Sequence, residues 1–232
     1  MSTSTSLSAN DFTAEANDPL VLPPDQRTAL LAGAPWQRFA VLGDSIAAGI
    51  GDPSPGYAPT GWAQRVAADL TVANPALAYR NTGRIGATSG QVIEQQLNEI
   101  LEFAPDLVHV SCGGNDLFTA GGDVDQVHEN LSTILTALSA TGAQLSIFTM
   151  CDVWDSERMA PMRPMRERMA ALNEVLRSVA TEFDAVLTEL WDHPLRLRPE
   201  VMSADLIHFA TNGQAVLASA VVGSLAARID RT

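Results

Sequence analysis

The chain has 232 residues, 46% of them apolar and 18% charged, which suits one compact domain with at most a short appendage. A domain of this length buries roughly 70 to 75% of its unfolded-chain surface, so its stability needs neither disulfides nor metal, and a staple-dependent mini-protein is excluded. Fourteen basic residues, all arginine, face 27 acidic ones for a net charge of −13, the wrong sign for a phosphate backbone or an anionic membrane surface, so no nucleic-acid partner is expected.

No stretch approaches the roughly 18 to 20 apolar residues of a membrane-spanning helix, so no membrane span is expected. Residues 1–24 are rich in Ser, Thr, Asp and Asn and lack both a basic region and an apolar run, which leads us to expect a cytoplasmic protein. The two cysteines, Cys112 and Cys151, each close an apolar run and read as buried thiols; a bridge would require the two runs to be neighbouring strands.

Residues 1–35 show little periodicity, contain Pro23-Pro24 and end in a Gly-Ala-Pro turn, so they read as an N-terminal arm, flexible or packed on the surface. The catalytic-size domain then occupies 36–232. Within it, short apolar runs at 38–42, 76–80, 107–112, 144–151 and 185–190 read as five strands. Helical spacing appears at 61–70, 89–103, 124–140, 162–183 and about 212–228. Parallel neighbours need a long crossover, and that crossover is usually a helix. The alternation therefore predicts an α/β fold: a three-layer α/β/α sandwich around a five-stranded parallel sheet. In such sheets chemistry sits beyond the carboxyl ends of the strands, where the winding direction reverses.

Four segments fall at that end. The first strand leads into Gly43-Asp44-Ser45 and the small residues Ala47-Ala48-Gly49, which makes Ser45 a candidate nucleophile, although a turn serine or helix cap has the same composition. After the third strand come Gly113-Gly114-Asn115-Asp116; an uncharged amide at Asn115 suits an oxyanion donor, and equally an Asx-turn. The segment 81–89 opens a helix and offers backbone N–H groups near Gly86, a second possible donor, without the lysine of a phosphate loop or a dinucleotide fingerprint. Near the C-terminus Asp205 stands three residues before His208, close enough to reach its Nδ1 and fix its tautomer. With strand order 2-1-3-4-5, strands one and three straddle the switch point and bring Ser45 opposite Asn115.

With these residues in place, the sequence resembles the SGNH (GDSL-type) esterases and lipases, whose four blocks are marked by Ser, Gly, Asn and His. Here they are Ser45 in the run from Phe39 to Ser45, Gly86 in the segment from Asn81, Asn115 in Gly113-Gly114-Asn115-Asp116, and His208 in Asp205-Leu206-Ile207-His208. The resemblance spans about 38–228. It implies the SGNH hydrolase fold with flavodoxin-like order 2-1-3-4-5 and a serine hydrolase acting on a small-molecule or acyl ester. It also implies Ser45 as nucleophile, His208 as general base and acid, and Asp205 as its orienter. The oxyanion hole would comprise the Ser45 and Gly86 N–H groups and the Asn115 side chain. Ile46 departs from the usual Leu of the first block, and Phe209-Ala210 replaces the Pro or Leu-Ser that follows the histidine in many relatives.

An α/β-hydrolase is disfavoured because Ser45 follows the first strand and the acid lies only three residues before the histidine. His193 is the one rival base; His109 sits in an apolar strand. The segment 151–169 interleaves Trp154, Met159, Met162 and Met165 with arginines. It reads either as pocket lining, with Trp154 the expected substrate contact, or as a helix packing its methionines inward. No cysteine–histidine cluster has metal-ligand spacing and no motif calls for an organic cofactor, so neither is expected. The alternatives to ester hydrolysis are acyl transfer from the same acyl-serine and a binding module with a vestigial site.

Overall fold

The structure, a computed structural model, describes residues 12–119 and 121–230. Five parallel strands form one sheet: β1 (Arg38–Gly43), β2 (Ala78–Asn81), β3 (Leu107–Ser111), β4 (Gln144–Phe148) and β5 (Val186–Thr188), in the order β2-β1-β3-β4-β5. Phe39 to Leu42 and the whole of β3 are buried, as strands covered on both faces must be, and this explains their unbroken apolar runs. In chain order the helices are α1 (Thr13–Ala16), α2 (Pro24–Leu30), α3 (Trp62–Ala73), α4 (Ser89–Val92), α5 (Asn98–Phe103), α6 (Gly114–Phe118), α7 (Val124–Ser139), α8 (Arg166–Glu182) and α9 (Thr211–Ile229). Helices α3 and α9 pack together on one face of the sheet, with α2 against both; α7 and α8 pack together over β4 on the other, with α4 against α7 and β1. Among the described residues no helix is long and apolar enough to cross a membrane.

Several boundaries differ from the sequence reading, each for a local reason. The run 144–151 is strand only to Phe148. Beyond it the amide of Asn173 on α8 accepts the Met150 N–H (2.7 Å) and donates to the Met150 carbonyl (3.0 Å), replacing a neighbouring strand. The helix expected from 162 begins at Arg166, because Pro161 and Pro164 lie in a 3₁₀ stretch, Glu157–Met165, ahead of it. Between α4 and α5 the helix widens into a π turn, Ile93–Leu97. Cys112 and Cys151 are free and buried.

Of the expected arm, residues 1–11 lie outside the described residues; 12–35 carry α1 and α2, and Leu31 behind them is fully buried. This segment is held by side chains that periodicity does not register. Arg27 donates to Asp69 (2.7 Å), and Arg65 holds Glu15 with two bonds (2.5 and 3.0 Å).

At the centre of β3, His109 is buried between the rings of Trp62 and Phe148, each with its centroid 4.6 Å away, and its Nδ1 lies 3.0 Å from the Ser146 hydroxyl. Burial pushes the imidazole down to about 3, so the folded chain refuses a proton that the unfolded chain binds below about 6.5. The stability this contributes is complete above that value and is lost as the pH falls through the window between the two. Urea unfolding should therefore show the wild type losing about 2 kcal/mol more between pH 7 and pH 5 than a His109→Gln variant. Equal losses in the two proteins would contradict a neutral, buried His109.

Candidate active site

The turn that carries Ser45 is built from a contact that only glycine permits. Gly43 ends β1 at φ +143°, and a Cβ there would sit 1.9 Å from the Ser111 carbonyl oxygen on β3. Gln96, buried in the π turn, accepts the Gly43 N–H (2.9 Å) and donates to its carbonyl (2.8 Å); on the far side Asp44 N–H donates to Ser111 (2.9 Å). From the opposite face of the sheet the Trp62 indole N–H donates to the Ile46 carbonyl (2.8 Å). The chain is thus fixed on both sides of Ser45.

His208 and Asp205 come from a hairpin that precedes α9. Met202 pairs antiparallel with Phe209, and Ser203 N–H donates to the His208 carbonyl (2.8 Å), which leaves Asp205 to Ile207 at the tip. The loop leaving the Ser45 turn is laced to this hairpin: Asp52 N–H donates to the Ser203 hydroxyl (2.8 Å), and Thr211 N–H donates to the Asp52 carbonyl (2.9 Å). The result is a continuous line of side chains. Ser45 Oγ lies 2.7 Å from His208 Nε2, and His208 Nδ1 lies 2.6 Å from Asp205 Oδ2. Burial would raise the Asp205 carboxyl, but the His208 ring and the N–H groups of Ile207 and His208 outweigh it and hold the group below its ordinary value. Asp205 is therefore a carboxylate in the neutral range, placed to accept a hydrogen bond from His208 Nδ1.

The remaining two residues expected from sequence are drawn to the same place. Gly113, at φ +110°, turns the chain from β3 into α6, where a Cβ would press on Val127 at 2.8 Å, and Asn115 follows in the first turn. Asn115 Nδ2 donates to the Ala87 carbonyl (3.0 Å), while Arg84 N–H donates to the Gly43 carbonyl (3.0 Å). The turn carrying Gly86 is therefore hooked to Asn115 at one end and to the Ser45 turn at the other. Among the described residues no protein acceptor meets the N–H of Ser45 or of Gly86, so both are available to a ligand. Asp116 secures the arrangement by accepting the N–H (2.9 Å) and hydroxyl (2.6 Å) of Ser89 at the start of α4.

Beside Ser45 opens a cleft of ≈ 80 Å³, lined among others by Phe118, Phe148, Trp154, Met159, Met162 and Met169. The segment 151–169 thus does both things the sequence left open: Trp154, Met159 and Met162 wall the cleft, and Met169 lines it from α8 as a buried, inward-packed methionine. Asp44 is the charged side chain in the lining; burial pushes its carboxyl up to about 7 against the pull of the Ile46 and Ala47 N–H groups. Cys112 and Cys151 also face the cleft, but burial raises both thiols, Cys151 to about 12, so neither rivals the serine as a nucleophile. His193 is no rival base: its Nδ1 accepts the Leu195 N–H (3.1 Å) and caps the 3₁₀ turn Pro194–Leu197.

Sequence reasoning missed Gln96 and Trp62, which hold the Ser45 turn from either face. A glutamine in a helix and an aromatic at a helix start carry no local sign of a partner some fifty or sixteen positions away.

A sequence model of the GDSL-like Lipase/Acylhydrolase family matches residues 41–216. No match to a curated protein sequence is found. Among solved structures, a lipase/acylhydrolase from Enterococcus faecalis is similar at TM-score 0.66 and 25% identity, covering 83% of this chain and 96% of that one. TesA is similar at 0.64 and 25%, over 82% and 98%. An acetylxylan esterase from Geobacillus stearothermophilus, at 0.66 and 18% over 84% and 94%, shares the fold. With three quarters of its length matched by the family model, the chain belongs to the GDSL-like lipase/acylhydrolase family and is an ester-hydrolysing enzyme.

Proposed function

We propose that the enzyme cleaves carboxylic esters through an acyl-Ser45 intermediate, with the acyl group held in the methionine-walled cleft. The observation that carries the reading is the unbroken line from Ser45 Oγ through His208 to Asp205, with contacts of 2.7 and 2.6 Å at the edge of that cleft. In this reading the Ser45 oxygen attacks the ester carbonyl while His208 Nε2 takes its proton, and Asp205 holds the imidazole in the tautomer that leaves Nε2 free to accept. The charge that moves onto the carbonyl oxygen is met by the N–H groups of Ser45 and Gly86 and by the Asn115 amide. One Asn115 hydrogen is already committed to Ala87, which aims the other. The alcohol leaves with the proton from His208, and water repeats the sequence on the acyl-enzyme.

The lining of the cleft argues for an uncharged, largely aliphatic acyl group. Burying each CH₂ in such a wall contributes about 0.8 kcal/mol, or about fourfold in kcat/KM. A cytoplasmic location belongs to the same proposal, its support being the two buried, unpaired thiols.

Ser45→Ala and His208→Ala should each lower kcat by about 10⁴-fold or more, with the thermal unfolding temperature nearly unchanged. Turnover retained in both would sink the mechanism. Asn115→Ala should lower kcat by about 10² to 10³-fold with KM little changed; a loss confined to KM would reassign Asn115 to substrate binding. Across a p-nitrophenyl ester series, kcat/KM should climb about fourfold per CH₂ until the cleft is filled and then fall. Trp154→Ala should move that optimum to longer chains, whereas a maximum at acetyl in both proteins would contradict an acyl-binding cleft.

A further inference from the structure

The match to the family begins at residue 41, yet the chain ahead of it holds both the loop that leaves the Ser45 turn and the stretch that leads into the His208 hairpin. Asp18 is the hub. Its side chain is 1% exposed, and its carboxylate accepts two bonds from Arg198 Nη1 (both 2.8 Å), one from the Tyr57 hydroxyl (2.8 Å) and one from the Leu20 N–H (2.9 Å). Tyr57 belongs to the loop that leaves the Ser45 turn. Arg198 opens the stretch that leads into the His208 hairpin: Val201 N–H donates to the Arg198 carbonyl (3.1 Å), and Ala210 N–H donates to the Val201 carbonyl (2.7 Å). Glu15 grips the first of these limbs a second time, accepting the Ala58 N–H (2.9 Å) and donating its own N–H to Gly56 (3.0 Å).

Ser45 and His208 thus stand on two separate limbs, and one buried carboxylate from outside the family core ties those limbs together. We propose that Asp18 is a positioning residue for the Ser45–His208 pair, so that the turn carrying it serves the site and is not an appendage. The inference rests on the serine reading given above. The physical ground is distance sensitivity: proton transfer from Ser45 to His208 needs contact at hydrogen-bond range, and a slip of an ångström between the limbs costs rate without loosening the cleft that binds the acyl chain. A buried carboxylate that holds Arg198 by two hydrogen bonds and Tyr57 by one adds a charged tie to the Asp52 bonds that already lace the limbs, and so stiffens them further against that slip.

The test compares wild type with Asp18→Asn, Arg198→Gln and the milder Tyr57→Phe. Arg27→Gln serves as control, because it breaks the tie of the same segment to Asp69 without touching either limb. The readouts are kcat and KM on a short p-nitrophenyl ester, the rate of Ser45 labelling by a fluorophosphonate, and the unfolding temperature. Asp18→Asn and Arg198→Gln should lose tenfold or more in kcat and in labelling rate with KM within twofold. Tyr57→Phe should lose a few-fold in the same direction, and it keeps the question answerable if the charge variants do not fold. Arg27→Gln should keep kcat and labelling within twofold even where its unfolding temperature falls as far. Undiminished labelling of the Asp18→Asn and Tyr57→Phe proteins, or an equal loss in Arg27→Gln, would overturn the positioning role alone. Wild-type turnover that survives Ser45→Ala would remove the serine reading and this one together.

Discussion

The site depends on how closely β1 and β3 approach at their carboxyl ends. At Gly43 the backbone of one strand lies against the Ser111 carbonyl of the other with no room for a side chain, and Gln96 saturates the glycine's own N–H and carbonyl. Because β1 is followed by a crossover to β2 on one side and β3 lies on the other, this is also where the winding reverses and a crevice must open. Ser45 emerges on one lip and Asn115 on the other as a consequence of topology. The rest of the molecule adds a base from a third direction, through the 203–210 hairpin, and fastens it by the Asp52 bonds.

Polar and apolar chemistry divide this crevice. Hydrogen-bonding groups gather along the line from Asn115 through Ser45 to Asp205, while the sulfur and aromatic side chains of 148–169 form a wall on which no cation is presented. Unbranched methionines adapt to varied aliphatic shapes more readily than β-branched residues, which suits the acyl-binding role proposed for this wall. Asp44 sits at the junction of the two regions. With its carboxyl raised to about 7, it retains its proton through the mildly acidic range and leaves Asp205 as the carboxylate that faces the imidazole.

Much of this was legible in the sequence, because the signals are local. A glycine-bearing turn follows each of the first three strands, the carboxylate lies three residues from its histidine, and buried parallel strands read as continuous apolar runs. Errors arose where an apolar residue served something other than a sheet. The run through Cys151 looked like strand, but Met150, Cys151, Val153 and Trp154 line the cleft, and Met150 takes its backbone partners from Asn173. Prolines at 161 and 164 turned an apparent helix start into 3₁₀. The segment before residue 36 read only as an arm, flexible or packed on the surface, because its attachment is ionic and distant: Asp18 meets Arg198 across 180 positions, and no periodicity encodes such a pair. Gln96 and Trp62 were hidden for the same reason.

In the proposed mechanism the acyl group passes to Ser45 as the alcohol leaves, before water attacks. Rapid mixing with a p-nitrophenyl ester, followed by acid quench and peptide mass mapping in the pre-steady state, tests this directly. The account predicts an acyl mass increment confined to the peptide that holds Ser45, formed together with the first equivalent of nitrophenol. Nitrophenol release with no increment on any peptide, or an increment on another residue, would contradict it.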